Sequence, residues 1–143
     1  MSPPNKLFRS YLAVLSIAAT AIGVGFVGLS AAYGHWAERG RIRATAARVT
    51  GGDPDRGAAT IAAVGCGACH TIPGIDDAAG LVGPPLTHVA GRHYLAGVVR
   101  NTPDNLIAWL KDPPAVDPKT AMSNLRLTDP QARDVAAYLY TLK

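Results

Sequence analysis

Only two cysteines occur in the chain, three positions apart, with a histidine directly behind them: Cys66-Gly67-Ala68-Cys69-His70. Two thiols one helical turn apart can each add to a vinyl group of a haem, and the adjacent imidazole then lies over the iron. C-x-x-C-H therefore reads as a c-type haem attachment site. Rival chemistries need more than the sequence holds. A zinc site wants two further ligands at comparable spacing, and there is no second C-x-x-C. A thioredoxin-like redox pair wants a βαβ setting, which the flanks lack. A structural disulfide suits an oxidising compartment but leaves His70 without a role.

A single haem then needs a sixth ligand or an open position. Apart from the initiator, Met122 is the only methionine. A lone Met is ordinarily a flexible gap-filler in a core, but its surroundings here point elsewhere. Leu106-Ile107-Ala108-Trp109-Leu110 is an apolar helix with Thr102 as cap and Pro103 at its first position. Pro113, Pro114 and Pro118 predict an extended loop after it, ending in Met122. A lone thioether presented by such a loop suits iron. His88 and His93 are the competing ligands.

Helices must place these groups. Asp53 caps an opening helix with Pro54 at its first position, and Ala58, Ile61 and Ala62 share one face. Thr128 and Gln131 have capping-box spacing around Pro130, and Ala132, Val135, Ala136, Leu139 and Leu142 recur at helical period. A domain this small buries limited apolar area alone, so a covalently held haem would supply the missing core. The expected fold class is all-α: three to five helices around the haem, preceded by one transmembrane helix.

That preceding segment sets the organisation: an N-terminal tail (1–10), a transmembrane anchor (11–33), a basic connector (34–52) and the haem domain (53–143). No charged residue occurs from Ser10 to Gly34, and a bilayer core of ~30 Å needs about 20 helical residues. Phe8 and Tyr11 at one end, and Tyr33 and Trp36 at the other, suit the interfacial belts. Lys6, Arg9 and Ser30-Ala31-Ala32 also fit a cleaved signal peptide, but its apolar region would run only about 7–15 residues. A retained anchor is the expectation. Gly23-Val24-Gly25-Phe26-Val27-Gly28 matches G-x-G-x-x-G without the βαβ unit that gives it meaning. The small residues at Ala19/Gly23, Ala21/Gly25 and Gly28/Ala32 have the spacing of a helix-packing stripe, as commonly happens in spans.

Net charge is +4, but it is partitioned: six basic residues against Glu38 leave +5 before Gly51, and eight against nine Asp leave −1 after it. Basicity thus belongs to the membrane flanks and argues for no nucleic-acid partner. More positive charge follows the span than precedes it, which by the positive-inside rule would keep the C-terminal domain in the cytoplasm. Gly51-Gly52 predicts a flexible break before the folded domain.

Residues 52–143 resemble the class I cytochrome c family. Gly57 lies one helix upstream of the haem motif, where the family's first and last helices cross. Gly83-Pro84-Pro85-Leu86 resembles the loop whose carbonyl, here that of Pro84, accepts the N–H of the ligating histidine. Gly91-Arg92 resembles a pair whose arginine contacts a haem propionate. The run from Leu106 to Met122 is similar in its spacing of aromatic, prolines, threonine and ligand, and Ala136-Ala137-Tyr138-Leu139 resembles the closing helix. The resemblance implies one haem c held through two thioethers of Cys66 and Cys69, with His70 and Met122 on the iron. It also implies Pro84, Arg92, Trp109 and Thr120 around the haem, Thr120 bonding a propionate or the pocket floor. Two positions depart from the pattern. Ile61 replaces an aromatic, and Ser123 follows Met122 where many bacterial members have Pro.

His/Met ligation leaves no vacant iron position and raises the reduction potential. The implied protein is a one-electron carrier rather than an enzyme, with no small-molecule substrate. The chain resembles small anchored cytochromes that feed haem–copper terminal oxidases, so the expected partner is an integral-membrane respiratory complex. An acceptor or haem subunit of a periplasmic dehydrogenase is the alternative. Haem attachment in such bacteria takes place outside the cytoplasmic membrane, which puts the domain on the periplasmic side against the charge rule. Two other classes are a thiol–disulfide oxidoreductase and a membrane subunit with a structural or sensory haem. The segments expected at the haem edge, 65–75 and 81–86, are largely apolar with Asp76 and Asp77 at the margin, so docking is expected to be apolar.

Overall fold

The computed structural model describes residues 6–143, with side chains from Phe8 onward. Of the expected tail, residues 1–5 lie outside the described residues, as does the Lys6 side chain of the expected basic pair. Five α-helices follow in order: α1 Lys6–Thr50, α2 Pro54–Val64, α3 Pro103–Lys111, α4 Pro113–Val116 and α5 Asp129–Leu139. Two 3-10 turns, Cys66–Ala68 and Val89–Gly91, and a two-residue hairpin of β1 Tyr94–Leu95 and β2 Val99–Arg100 complete the elements. The chain is mostly helical, as expected. The hairpin was not: its three-residue connection turns through Ala96 and Gly97, both at positive φ, and a turn of that kind usually announces itself with Asn-Gly.

Two compact units divide the chain, one ending at Gly40 and one running from Arg41 to Lys143. In the first, α1 is long and apolar enough to cross a membrane by length and composition, and its apolar window buries nothing within the unit. Ile22, Phe26 and Leu29 are all exposed. A Cβ on Gly23, Gly25 or Gly28 would meet nothing within 4 Å.

The second unit is built on the crossing of α2 and α5. Asp53 caps α2, its carboxylate accepting the N–H groups of Asp55 and Arg56. Gly57 lies where the helices cross: a Cβ there would stand 2.0 Å from the Asp134 carbonyl oxygen. Asp134 is 5 % exposed, and its carboxylate accepts the Asp53 N–H at 2.7 Å and a two-pronged bond from the Arg56 guanidinium at 2.8 and 2.9 Å. Those Arg56 bonds hold the Asp134 carboxyl below the usual carboxylate range even though burial pushes the other way. Thr128 and Gln131 form the expected capping box on α5. The buried face of α5 is wider than its hydrophobic period implied, taking in Asp134, Ala137 and Tyr138 as well. On α2, Ile61 is buried but Ala62 is exposed, against expectation, because the crossing runs along Pro54, Gly57 and Ile61 and leaves Ala62 on the flank.

Two loop expectations are corrected. Gly51-Gly52 is not a flexible break. Gly51 ends α1 in the left-handed region, and a Cβ on Gly52 would stand 2.1 Å from the Arg133 carbonyl oxygen. Thr50 is buried, and its carbonyl accepts from the Arg133 guanidinium at 3.1 Å. Nor is the chain after α3 extended from the start. Pro113 and Pro114 open the single-turn helix α4, a use their fixed φ permits at a first turn, and irregular chain begins only after it.

Candidate functional site

A cavity of about 550 Å³ opens in the second unit, walled by α2, α3, α5 and the loops between them. Ile61, Leu106, Leu110, Val135 and Leu139 give it an apolar interior, and Arg92 is the one charged side chain in its lining. Cys66, Cys69, His70, Pro84, Arg92, Trp109, Thr120 and Met122 all line it. His88 and His93 are exposed and do not.

The motif itself forms one tight turn. Gly65 ends α2 in the left-handed conformation, and the N–H groups of Cys69 and His70 both bond the Cys66 carbonyl. Both thiols are thereby presented from one turn, unbonded to each other. Burial pushes the Cys66 thiol up, which makes it a poor thiolate nucleophile and counts against the thiol-exchange reading. The following loop folds back on the motif. Gly80 N–H bonds Gly67 O, Gly83 N–H bonds Cys69 O, and Leu86 N–H bonds Thr71 O. A Cβ at Gly67 would press on Ala78, and one at Gly80 on the Ala68 carbonyl, both within 3 Å. These two glycines were not singled out from the sequence; only the close backbone approach explains them.

His70 is held on two sides. Its Nδ1 lies 2.8 Å from the Pro84 carbonyl oxygen. A carbonyl can only accept, so Nδ1 carries the proton and Nε2 keeps its lone pair for a metal. The ring lies flat against Gly83, where a Cβ would come within 2.3 Å of Cε1. Arg92 braces the same loop, donating to the carbonyls of Pro85 and Thr87. Asn101 fixes the stretch behind it: its amide donates to Val89 O and Arg92 O, and its oxygen accepts from the Tyr140 hydroxyl. Asn101 was also missed, since a lone Asn before a helix cap carries no pattern.

Across the cavity Trp109 is buried on α3, and its indole Nε1–H points to Met122 Sδ at 3.2 Å. The Thr120 hydroxyl accepts the Met122 N–H at 3.1 Å, forming a small turn in the Met122 loop. The residues fit a haem. Two thiols and an imidazole share one turn, a neutral thioether stands on the same apolar cavity, and a glycine leaves room for the ring. Among the described residues no three His, Cys, Asp or Glu side chains converge as they would on a bare metal ion.

Residues 54–143 match the family profile described as cytochrome c. Two curated relatives are both cytochrome c oxidase subunit 2. The one from Alkalihalophilus pseudofirmus is 32% identical over 79 residues, covering 54% of this chain and 22% of that protein. The one from Bacillus sp. strain PS3 is 32% identical over 82 residues, covering 54% and 23%. The chain therefore spans less than a quarter of the length of these relatives. No solved structure matches it.

Proposed function

Because the chain belongs to the cytochrome c family, whose domain carries haem and transfers electrons, we propose that it is a membrane-anchored carrier with one haem. It passes single electrons to or within a terminal cytochrome c oxidase. The observation that carries this reading is the His70 ring, protonated at Nδ1 by its bond to Pro84 and free at Nε2, on the same cavity as Met122. Cys66 and Cys69 would hold the haem through two thioethers, an addition of each S–H to a vinyl group that would consume no oxidant. One C-x-x-C-H motif supplies one attachment. The iron supplies a reversible one-electron couple. His70 and Met122 would both hold the iron, which would leave no place for a substrate and suits a carrier. Arg92 and Thr120 stand where they can meet propionates, and Trp109 closes the wall.

The oxidase partner is supported by the names of the two relatives and by an apolar helix long enough to place the domain at a membrane. The periplasmic face follows from where haem is attached, against the excess of Arg after the span. Leu81 and Val82 are 86% and 82% exposed, and Val82 also lines the cavity. A partner seated on them would lie over the cavity rim. Asp76 and Asp77 nearby disfavour an anionic lipid surface, and two aliphatic side chains fall far short of the ~1,000 Å² a stable dimer requires. A transient apolar contact with the oxidase suits both facts. Tethering to one membrane raises effective concentration enough for such a contact.

The test uses intact membranes. A haem-stained band should remain after a high-salt wash, carry the mass of the chain plus one haem, and be lost to protease added at the outer face. With the terminal oxidase blocked, the haem should stay reduced after substrate is given. A colourless band sinks the carrier reading; unchanged reoxidation under the block sinks the oxidase as partner.

A further inference from the structure

The last turns of α1 are packed, where the spacing of the sequence suggested a connector. From Arg41 to Thr50 the sheltered positions are Ile42, Arg43, Ala46, Ala47 and Thr50, and the turns between them are exposed. That is the period of a helix laid against a surface. Ala46 is 2% exposed and Thr50 1%. Ala18, Ala19 and Ala21 have helical neighbours of their own on the same α1 and stay exposed. Ala46 is therefore covered by residues from outside its helix, and the compact unit that holds the cavity begins at Arg41. Taking the anchor of the proposed function as given, we infer that residues 41–52 are a clamp on the haem domain. The clamp shortens the carrier's tether to residues 34–40 and so limits how far the domain can travel from the membrane.

Arg43 pairs with Asp55 in the first turn of α2. Asp55 is well exposed there, and such a surface pair adds little by itself. Thr50 does more. Its carbonyl accepts from the Arg133 guanidinium at 3.1 Å. Asp129 holds the Nε of that same arginine and also takes Lys111 of α3. The Thr50 hydroxyl donates to Ala46 O and accepts the Gly52 N–H. Gly52 then passes the Arg133 carbonyl so closely that no Cβ fits between them. The clamp is thus tied to α5 directly and to α3 through Asp129. It lies ahead of the residues that match the cytochrome c profile, which start at 54, so the tie is an addition made by this chain.

Chain length then sets a limit that holds in any conformation. A tether of residues 34–52, stretched at ~3.6 Å per residue, would reach about 65 Å from the span, whereas residues 34–40 reach about 25 Å at most. The difference decides between two ways of working. A long tether lets a domain swing to an electron-entry site far above the membrane. A short one keeps it concentrated beside a partner in the same bilayer. The clamp selects the second, and the partner must then offer its entry site close to the bilayer surface.

The test lengthens the tether without touching the clamp. In the full-length holoprotein, a flexible Gly/Ser segment of about twenty residues is inserted between Gly40 and Arg41. Single-turnover reoxidation of the haem in native membranes should slow about three- to tenfold, because effective concentration falls with roughly the −3/2 power of tether length. In phosphatidylcholine nanodiscs carrying a headgroup dye, quenching of the dye by the haem should drop. Hydrogen exchange of amides 43–50 should stay within about tenfold of that of the α5 amides, in the parent and in the insertion alike. Ala46→Gln forces a polar side chain into the covered position. It should speed exchange of 43–50 more than about tenfold and lower the quenching, with the haem spectrum kept. Reoxidation that is unchanged or faster after the insertion would overturn the proposal. So would parent amides 43–50 that exchange like a frayed helix end, a readout that needs no variant to fold. The premise fails separately: holoprotein that leaves the membrane in high salt has no anchor, and exchange measured in solution still judges the clamp.

Discussion

On the His70 wall the chain from Cys66 to Leu86 is stitched to itself by backbone bonds and by glycines that admit no side chain. On the Met122 wall, the irregular chain between α4 and α5 is held by one backbone bond, Thr120 N–H to Asp117 O, by short-range side-chain turns at Asp117, Thr120 and Asn124, and by one bond from Trp109. His70 is located chiefly by the main chain, Met122 chiefly by side chains. The difference teaches where the site should give: perturbation of the His side is expected to act on folding, and perturbation of the Met side on the proposed iron centre.

The sharpest way to break that contrast is a matched pair. Gly83→Ala puts a methyl 2.3 Å from the imidazole, an overpacking that costs about 1–3 kcal/mol or more. The yield of holoprotein and the melting temperature should both fall. Met122→Ala should leave covalent haem and yield near normal while turning the iron toward high spin and lowering its potential. If Met122→Ala loses as much holoprotein as Gly83→Ala, the two walls are not different in kind.

Next in size is the crossing behind both walls. The folded-state pKa of Asp134 is depressed, so its contribution is present above the ordinary carboxylate range and disappears as pH falls through the folded value. Asp134→Ala leaves the part-buried Asp53 N–H without its acceptor and should cost about 1–3 kcal/mol at neutral pH. The gap between variant and parent should narrow toward pH ~3, near and below the unfolded carboxylate range. Urea titrations at both pH values measure it. An equal gap at both would mean that the carboxylate charge contributes nothing, and the haem spectra of the folded forms should be alike throughout.

Smallest is the effect of salt. Neither wall carries a basic ring, and the exposed rim is Leu81 and Val82. Raising ionic strength from ~0.01 to ~0.15 M shortens the screening length from about 30 to about 8 Å, yet electron transfer to the oxidase should change less than about threefold. A fall of an order of magnitude would mean charged docking and would remove the His-wall rim as the contact.

Much of this was legible because it depends on local pattern. Helix starts were readable from Asp53-Pro54, Thr102-Pro103 and Thr128 with Gln131, since caps act within one turn. The haem motif was readable because its chemistry is contiguous. What escaped depends on contact between distant segments. Gly67 and Gly80 are tied to each other's stretches by folding, Asn101 to Tyr140, and Gly52 to Arg133. Gly51-Gly52 was misread for that reason, because a glycine pair looks the same whether it flexes or admits a neighbour's backbone. Pro113 was misread because proline both stops one helix and starts another. The resemblance located Gly57 and Pro84; only the folded chain explains the first by the Asp134 carbonyl and sets the second at 2.8 Å from His70 Nδ1.

The bond from Asp53 N–H to Asp134 joins residues 81 positions apart, which has a consequence in time. Closing a loop of that length costs about 4 kcal/mol of chain entropy before any contact forms. α5 is synthesised after α2, α3 and α4, so the crossing at Gly57 waits until α5 has been made. Until then the Cys66–His70 turn hangs on an uncovered α2, with its thiols open to whatever delivers the haem. Late closure leaves an interval in which haem could be attached before the cavity is closed.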